Sequence, residues 1–200
     1  SSIDQYESDD KTIELRRQER ERYMRWSEFV ASRGSRYKDC TLDNFVMTST
    51  AQVDAVGKLR SFVSHMSERI KAGHGVVIFG SRGTGKDHLV VALAREAIKL
   101  DHNVVWENGM DFFGRVRDAM DSGERERDVV SRLVAPDVLY ISDPVPPFGK
   151  VTEFQASMLF RILDGRYSRC RPTWATINVA SCQELDDRIG PPNSDRLRDG

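Results

Sequence analysis

Between Gly80 and His88 the chain reads G-S-R-G-T-G-K-D-H, a spacing of glycines and one lysine suited to holding phosphate. Gly80, Gly83 and Gly85 let consecutive backbone N–H groups turn towards one anion with no Cβ in the way. Lys86 completes G-x-x-x-x-G-K, and its ammonium would reach the β- and γ-phosphates of a nucleoside triphosphate. The expected nucleotide-contacting set is Gly80, Ser81, Arg82, Gly83, Thr84, Gly85, Lys86, Asp87 and His88, with ATP or ADP and Mg²⁺ as ligands. One position departs from the pattern. After the lysine a Ser or Thr hydroxyl ordinarily binds Mg²⁺; here the residue is Asp87.

Phosphate chemistry of this kind needs a second acidic group at the end of another buried strand, to hold metal and orient the attacking water. V-L-Y-I-S-D-P, Val138 to Pro144, is the candidate. If Val138 to Ile141 are the four apolar strand positions, Ser142 falls where a metal-binding Asp belongs and Asp143 where the water-polarising acid belongs. Moved by one, the register makes Asp143 the metal residue and leaves Pro144 in the position of the base. The first register is preferred, because it forces no polar residue into the strand. Asp87 and Ser142 then read as an exchange of chemical types, carboxylate on the helix and hydroxyl on the strand. The total ligand charge at Mg²⁺ is conserved.

These groups need elements to carry them. Val76 to Phe79 is a short β-rich run that stops at Gly80, and Leu89, Val90, Leu93 and Ala97 follow the loop at helical spacing, giving strand, glycine loop, helix. The helix start adds unpaired N–H groups and the positive end of its dipole. Upstream, Val53, Val56, Leu59, Phe62, Val63, Met66 and Ile70 predict one amphipathic helix over residues 51–72, closed by glycine at 73 and 75. Leu42, Phe45 and Val46 are expected to pack by the nucleotide pocket. Asn103 to Trp106 reads as a strand, Asp111 to Met120 as a helix with Phe112, Phe113 and Val116 inward, and Val129, Val130 and Leu133 as a shorter helix. Thr152 to Tyr167 is helical through Phe154, Met158, Leu159, Ile162 and Leu163, and Thr173 to Ile177 is a fourth strand. Alternating strands and helices predict an α/β fold on a parallel sheet.

Composition bounds the rest. Two hundred residues with 39% hydrophobic and 30% charged content suit one domain with an appended segment. A net charge of −1 makes the molecule as a whole no magnet for nucleic acid or membrane, so DNA contact must be local or depend on assembly. No apolar run approaches a membrane span, and the start lacks a signal-peptide core. Cys40, Cys170 and Cys182 are scattered and lack metal-ligand spacing, which reads as reduced thiols in a cytoplasmic protein. Residues 1–38 stand apart as a charged helical arm and linker, with residues 39–200 as the nucleotide domain. In the arm, Glu14 to Arg25 alternates in charge and leads to Trp26, Phe29 and Val30. It reads as a solvated lead-in helix or as a docking arm anchored by Trp26 and Phe29.

From about Cys40 to its end the chain resembles the DnaC/IstB-like AAA+ ATPases, the helicase loaders and transposition helper ATPases. The resemblance rests on C-T-L-D-N-F, G-S-R-G-T-G-K-D-H-L, V-L-Y-I-S-D, F-R-I-L-D-G-R-Y, R-P-T-W-A-T-I-N and S-D-R-L-R-D-G, in that order. It implies a three-layer α-β-α sandwich on an ASCE-type parallel sheet, with the strand ending at Asn178 between the P-loop strand and the Ser142/Asp143 strand. It further implies Asn178 as sensor 1 and Arg196 as an arginine finger inserted into a neighbouring subunit's site. Asp143 is then the catalytic acid, Asn108 a polar partner restraining it, and His88 a packing residue after the loop. The family's small helical lid is not recognisable after Arg196, so a lid absent or truncated is expected.

The resemblance implies an ATPase switch that assembles head to tail and engages single-stranded DNA and a replicative helicase, or, as a transposition helper, a transposase. A second reading is a nucleotide-responsive scaffold with weak or no hydrolysis, motivated by Asp87 and Ser142.

Overall fold

The four apolar runs meet in one sheet. A computed structural model describes residues 2–146 and 148–199, with side chains from residue 11 onward apart from Met110. The chain divides into two units, residues 1–39 and 40–200.

In the first unit, α1 (Ser2–Ala31) is a long polar helix. Its charges pair along the helix: Arg17 lies 3.4 Å from Glu14 and 3.5 Å from Glu21, and Gln18 donates to Glu14 at 3.1 Å. Such i, i+3 and i, i+4 pairs support a helix that has no broad apolar face. Trp26 and Phe29 stack on one another, ring centroids 5.7 Å apart. A short 3₁₀ turn, Ser35–Tyr37, follows.

The second unit runs α2 (Thr50–Val63), α3 (Met66–Lys71), β1 (Val76–Phe79), α4 (Lys86–Lys99), β2 (Val104–Asn108), α5 (Gly109–Asp121) and α6 (Glu126–Val134). It continues with β3 (Val138–Ser142), α7 (Glu153–Tyr167), β4 (Thr173–Ile177), α8 (Cys182–Ile189) and α9 (Pro191–Arg198). The sheet order is β1-β4-β3-β2, every pair parallel. Central β3 and β4 are buried along their whole length, as strands covered on both faces must be. Their side chains alternate between two layers. Leu139, Ile141, Ala175 and Ile177 enter the core built with α5 to α9. Tyr140 and Thr176 reach Asp87 on α4, and Trp174 meets Phe62 of α2 edge to face at 6.0 Å. Helices on both faces make the three-layer sandwich that the alternation of elements and the family resemblance implied.

Several local expectations are corrected. The helix expected over 51–72 is two helices, broken where the Ser64 hydroxyl turns back to Ser61 O at 2.9 Å and His65 leaves the helical region at φ −130°, ψ 30°. Val53 and Phe154 are exposed, while Val56, Met158, Leu159, Ile162 and Leu163 are buried. Both exposed residues sit in the first turn of their helix, ahead of the stretch the core covers, which periodicity cannot reveal. Val46 is exposed too, while Phe45 is buried and Leu42 half-buried. Two short helices, α8 and α9, lie beyond the elements expected from the sequence; α8 buries Leu185 and Ile189, one turn apart, and α9 buries Leu197.

A buried arginine ties the α6 end of the fold to the sheet. Arg166, fully buried in α7, donates to Leu133 O (2.9 Å), Pro136 O (3.0 Å), Pro172 O (2.7 Å) and the Thr173 hydroxyl (3.2 Å), among others. Burial and the charge of Arg171 lower its pKa to about 9, so it stays cationic at neutral pH. Carbonyls at the C-terminal end of α6 are natural partners for that charge.

Candidate functional site

The phosphate loop is shaped by glycine. Gly85 has φ +83°, and a Cβ there would lie 2.5 Å from Phe45 Cε2, so no other residue fits without moving that ring. Phe45 is held in turn by His88, whose ring meets it edge-on at 5.3 Å. His88 Nε2 also lies 2.9 Å from Thr41 O and 3.0 Å from Asn44 Oδ1. Thr41 and Asn44 close a small reciprocal turn, at 2.9 and 3.1 Å. His88 thus fastens residues 41–45 to the first turn of α4. Within the loop, Thr84 Oγ1 donates to Ser81 O at 2.9 Å, and Gln52 of α2 donates to Thr84 O at 3.1 Å. Ser81 and Arg82 lie on its exposed side.

Lys86 is buried, and its ammonium donates to Gly80 O (2.9 Å), Ser81 O (2.8 Å) and Asn178 Oδ1 (2.8 Å). Three donors meet three acceptors. Loss of hydration lowers its pKa, Asp87 and Asp143 oppose the shift, and Arg82 adds to it. A phosphate oxygen is a stronger partner for this ammonium than a carbonyl.

Asn178 carries the connection to the next strand. Its Nδ2 donates to Asp143 Oδ2 at 2.6 Å, and its backbone N–H reaches Asp143 Oδ1 at 3.4 Å. Lys86, Asn178 and Asp143 therefore form one hydrogen-bonded chain across the C-terminal ends of β1, β4 and β3. Ser142 is the last residue of β3 and Asp143 the first beyond it. Asp143 turns the chain with φ +52°, a left-handed conformation that Asp tolerates better than most residues. Its N–H donates to Thr176 O at 2.7 Å.

Gly109 makes room for this turn. A Cβ there would lie 2.2 Å from Pro144 Cα and 2.5 Å from Asp143 O. Asn108, just before it, is in register with Ser142. Arg188 of α8 secures the loop beyond, donating to Gly149 O at 3.0 Å, to Asn178 O at 3.4 Å and to Pro146 O. Neither Gly109 nor Arg188 belongs to a motif that sequence spacing marks; their importance arises from elements meeting in space.

Asp87 and Ser142 face the same layer. Asp87 Oδ1 accepts from Thr176 Oγ1 at 2.6 Å and from the Tyr140 hydroxyl at 2.8 Å. Thr176 is the cross-strand register partner of Ser142, so Asp87 is anchored one strand away, about 4.8 Å, from Ser142's strand. Ser142 Oγ accepts from Trp106 Nε1 at 3.0 Å.

Arg196 lies elsewhere. Asn193 pins α9 by donating to Ile189 O (2.8 Å) and to Ala156 O of α7 (3.1 Å), while Ser194 and Leu197 are buried. Arg196 is left at the rim, its Nε donating to Asp164 at 2.9 Å and its guanidinium lying 4.4 Å from the Tyr167 ring centroid. It borders a cavity of about 450 Å³ with His74, Arg171 and Thr173, residues that precede or begin β1 and β4. That is the N-terminal end of the strands. Lys86, Asn178 and Asp143 are at the other end, roughly 13–17 Å away at ~3.3 Å per strand residue. Arg196 is not brought to the phosphate loop of its own chain.

A glycine loop opening a helix, flanked by a central strand ending in an amide and a further strand ending in an acid, defines a P-loop domain of the AAA+ type. The chain belongs to the IstB-like ATP binding proteins: a sequence model of that family matches residues 9–180. The replicative helicase loader DnaC of Escherichia coli strain K12 is 26% identical over 167 residues, covering 82% of this chain and 65% of that protein. The chain thus spans about 65% of the length of this curated relative. In fold it is similar to the crystal structure of the DnaC helicase loader, with a TM-score of 0.73 at 23% identity, covering 83% of this chain and 96% of that one. AMPPCP-bound DnaA from Aquifex aeolicus shares the fold at a TM-score of 0.67 and 22% identity, covering 80% of this chain and 48% of that one. Among the described residues no helix is long and apolar enough to cross a membrane.

Proposed function

We propose that this chain is the ATP-binding, self-assembling part of a replicative-helicase loader, whose nucleotide site is completed by a second copy. The observation that carries the reading is the Lys86–Asn178–Asp143 chain across three adjacent strands, with Arg196 at the opposite end of the sheet. Phosphates would be taken up by the backbone of residues 80–85 and by Lys86. Asp143 would accept a proton from the attacking water, and Asn178 would report the phosphate end to that acid. Arg196 would serve a neighbour's site in a head-to-tail assembly, which its place at the far end of the sheet from its own phosphate loop supports, and a guanidinium suits that task because it is permanently charged and forked. The similarity to DnaC supports a replicative helicase as partner, with single-stranded DNA engaged by the assembly; the IstB-like family leaves a transposase as the other candidate.

Magnesium fits the residues present. Among the described residues no hydrogen bond goes to Asp87 Oδ2, and Ser142 Oγ uses one lone pair on Trp106. One carboxylate oxygen and one hydroxyl on neighbouring elements are hard donors of the type Mg²⁺ takes. When bound, the ion would neutralise phosphate charge and turn the repulsion between Asp87 and the triphosphate into attraction. Nucleotide binding should therefore depend strongly on Mg²⁺. Lys86→Ala should abolish binding with the fold retained, Asp87→Thr should weaken the Mg²⁺-dependent part, and Asp87→Thr with Ser142→Asp should restore it. Tight ATP binding in EDTA, or no rescue in the double variant, refutes the exchange.

The second reading, a scaffold that binds nucleotide without turning it over, is favoured by the partners that Asp87 Oδ1 and Ser142 Oγ already have inside the protein, Thr176, Tyr140 and Trp106. A single-turnover ATPase assay with Mg²⁺ separates the two readings. Pull-down with a replicative helicase or with a transposase separates loader from transposition helper.

A further inference from the structure

We infer that Tyr140 and Thr176 are positioning residues that fix the carboxylate of Asp87 for the metal end of the nucleotide. The inference rests on the reading of Asp87 as a metal oxygen, and it assigns a task to two buried hydroxyls of the central strands. Both are almost wholly buried, at 0% and 1% exposure. A buried hydroxyl there costs free energy unless it is bonded, and both direct their one proton to the same atom. Thr176 Oγ1 is 2.6 Å and the Tyr140 hydroxyl 2.8 Å from Asp87 Oδ1. The two hydroxyls are 3.2 Å apart; with both protons on Asp87, that contact carries none.

The choice of donor matters. A lysine or arginine in this place would cancel the carboxylate's charge. Two neutral hydroxyls orient it and leave the charge for a cation. They also occupy one oxygen, so that Oδ2 is the atom left to bind. The same framework governs the second oxygen. Tyr140 stacks on Trp106 with centroids 5.0 Å apart and planes 26° from parallel, and Trp106 Nε1 holds Ser142 Oγ at 3.0 Å. One aromatic pair therefore sets both Asp87 and Ser142, and Thr176 ties Asp87 to the strand beside Ser142. Partners of this kind, one shell behind the ligand, typically carry 10–100-fold in metal affinity.

The test uses the full chain and a fluorescent ATP analogue, recording nucleotide binding as free Mg²⁺ is raised, and Tm in parallel. Thr176→Val and Tyr140→Phe keep shape and remove the donors. Each should raise the Mg²⁺ midpoint about tenfold, leave binding in EDTA unchanged, and shift most in combination. Thr176→Ser, which keeps the hydroxyl, should restore the wild-type midpoint. An unmoved midpoint in the double variant, or a shift in Thr176→Ser equal to that of Thr176→Val, overturns the inference; a fall in Tm with the midpoint in place does the same, marking the hydroxyls as structural. Asp87→Asn separates this from the underlying reading. If Asp87→Asn moves the midpoint and the hydroxyl variants do not, only the positioning role fails. If wild type shows no Mg²⁺ dependence, or Asp87→Asn leaves it intact, Asp87 is no metal oxygen and both fall together.

Discussion

Asn178 Nδ2 donates to Asp143 Oδ2 across 2.6 Å, joining the central strand of the sheet to the acid at the end of its neighbour. The other atom of the same amide, Oδ1, accepts from Lys86 at 2.8 Å. An amide is the side chain that does both, since it offers a donor and an acceptor on one rigid plane. Replacement of the lysine's partner and of the acid's partner therefore comes as one event.

Asn178→Ala should lower single-turnover ATP hydrolysis by about 10²-fold or more, because a general base out of position loses most of its contribution. Nucleotide affinity should change far less, since Lys86 keeps its other acceptors. A turnover rate equal to wild type would show that Asp143 needs no restraint.

Arg196→Ala should leave nucleotide affinity unchanged in dilute protein and remove the part of ATP hydrolysis that grows with protein concentration. A finger acting in trans is worth roughly 10³–10⁵ in rate. The check is specific activity against concentration for wild type, variant and an equal mixture. Equal loss at monomeric concentrations would place Arg196 in its own chain's site.

Arg166→Met should destabilise the domain by about 3–5 kcal/mol, as carbonyls of Leu133, Pro136 and Pro172 lose their donor inside the protein. In a domain of this size that is a Tm lower by roughly 10 °C or more. Thermal unfolding followed by circular dichroism measures it; a change under about 1 kcal/mol would mean that other donors take over these carbonyls.

Stability should fall as pH drops below the ordinary histidine value of 6.5, partly through His102. Burial lowers its pKa, against the pull of Asp137 and Asp101 and together with the charge of Lys71. The unfolded chain then binds the proton first, so stability is complete above 6.5 and is lost as pH falls towards the folded-state value. His102 Nε2 lies 2.9 Å from the Ser67 hydroxyl. His102→Gln should flatten this limb of the profile in denaturant titrations across pH; an unchanged slope would assign it to other groups.

The fold was legible in the chain because its signals are local. Four apolar runs separated by helical periodicities specify parallel strands and crossovers, and the glycine spacing marks which strand end binds phosphate. The family resemblance supplied the strand order, which no local signal carries. Residue spacing therefore named Lys86 and Asp143 and set the odd chemistry of Asp87 beside that of Ser142, and the family resemblance named Asn178 and Arg196. Neither could say what those groups touch. That Asn178 holds Asp143, that Gly109 must be bare to admit the Asp143–Pro144 turn, and that Arg188 clamps the next loop are facts of elements far apart in sequence. The break at Ser64–His65 and the outward turn of Val53 and Phe154 depend likewise on where neighbouring layers end. Most of all, Tyr140 and Thr176 read in the sequence as ordinary strand residues. Only strand register beside α4 puts both hydroxyls on one carboxylate oxygen, because a hydrogen bond is decided by distances of a few tenths of an ångström and composition carries no such information.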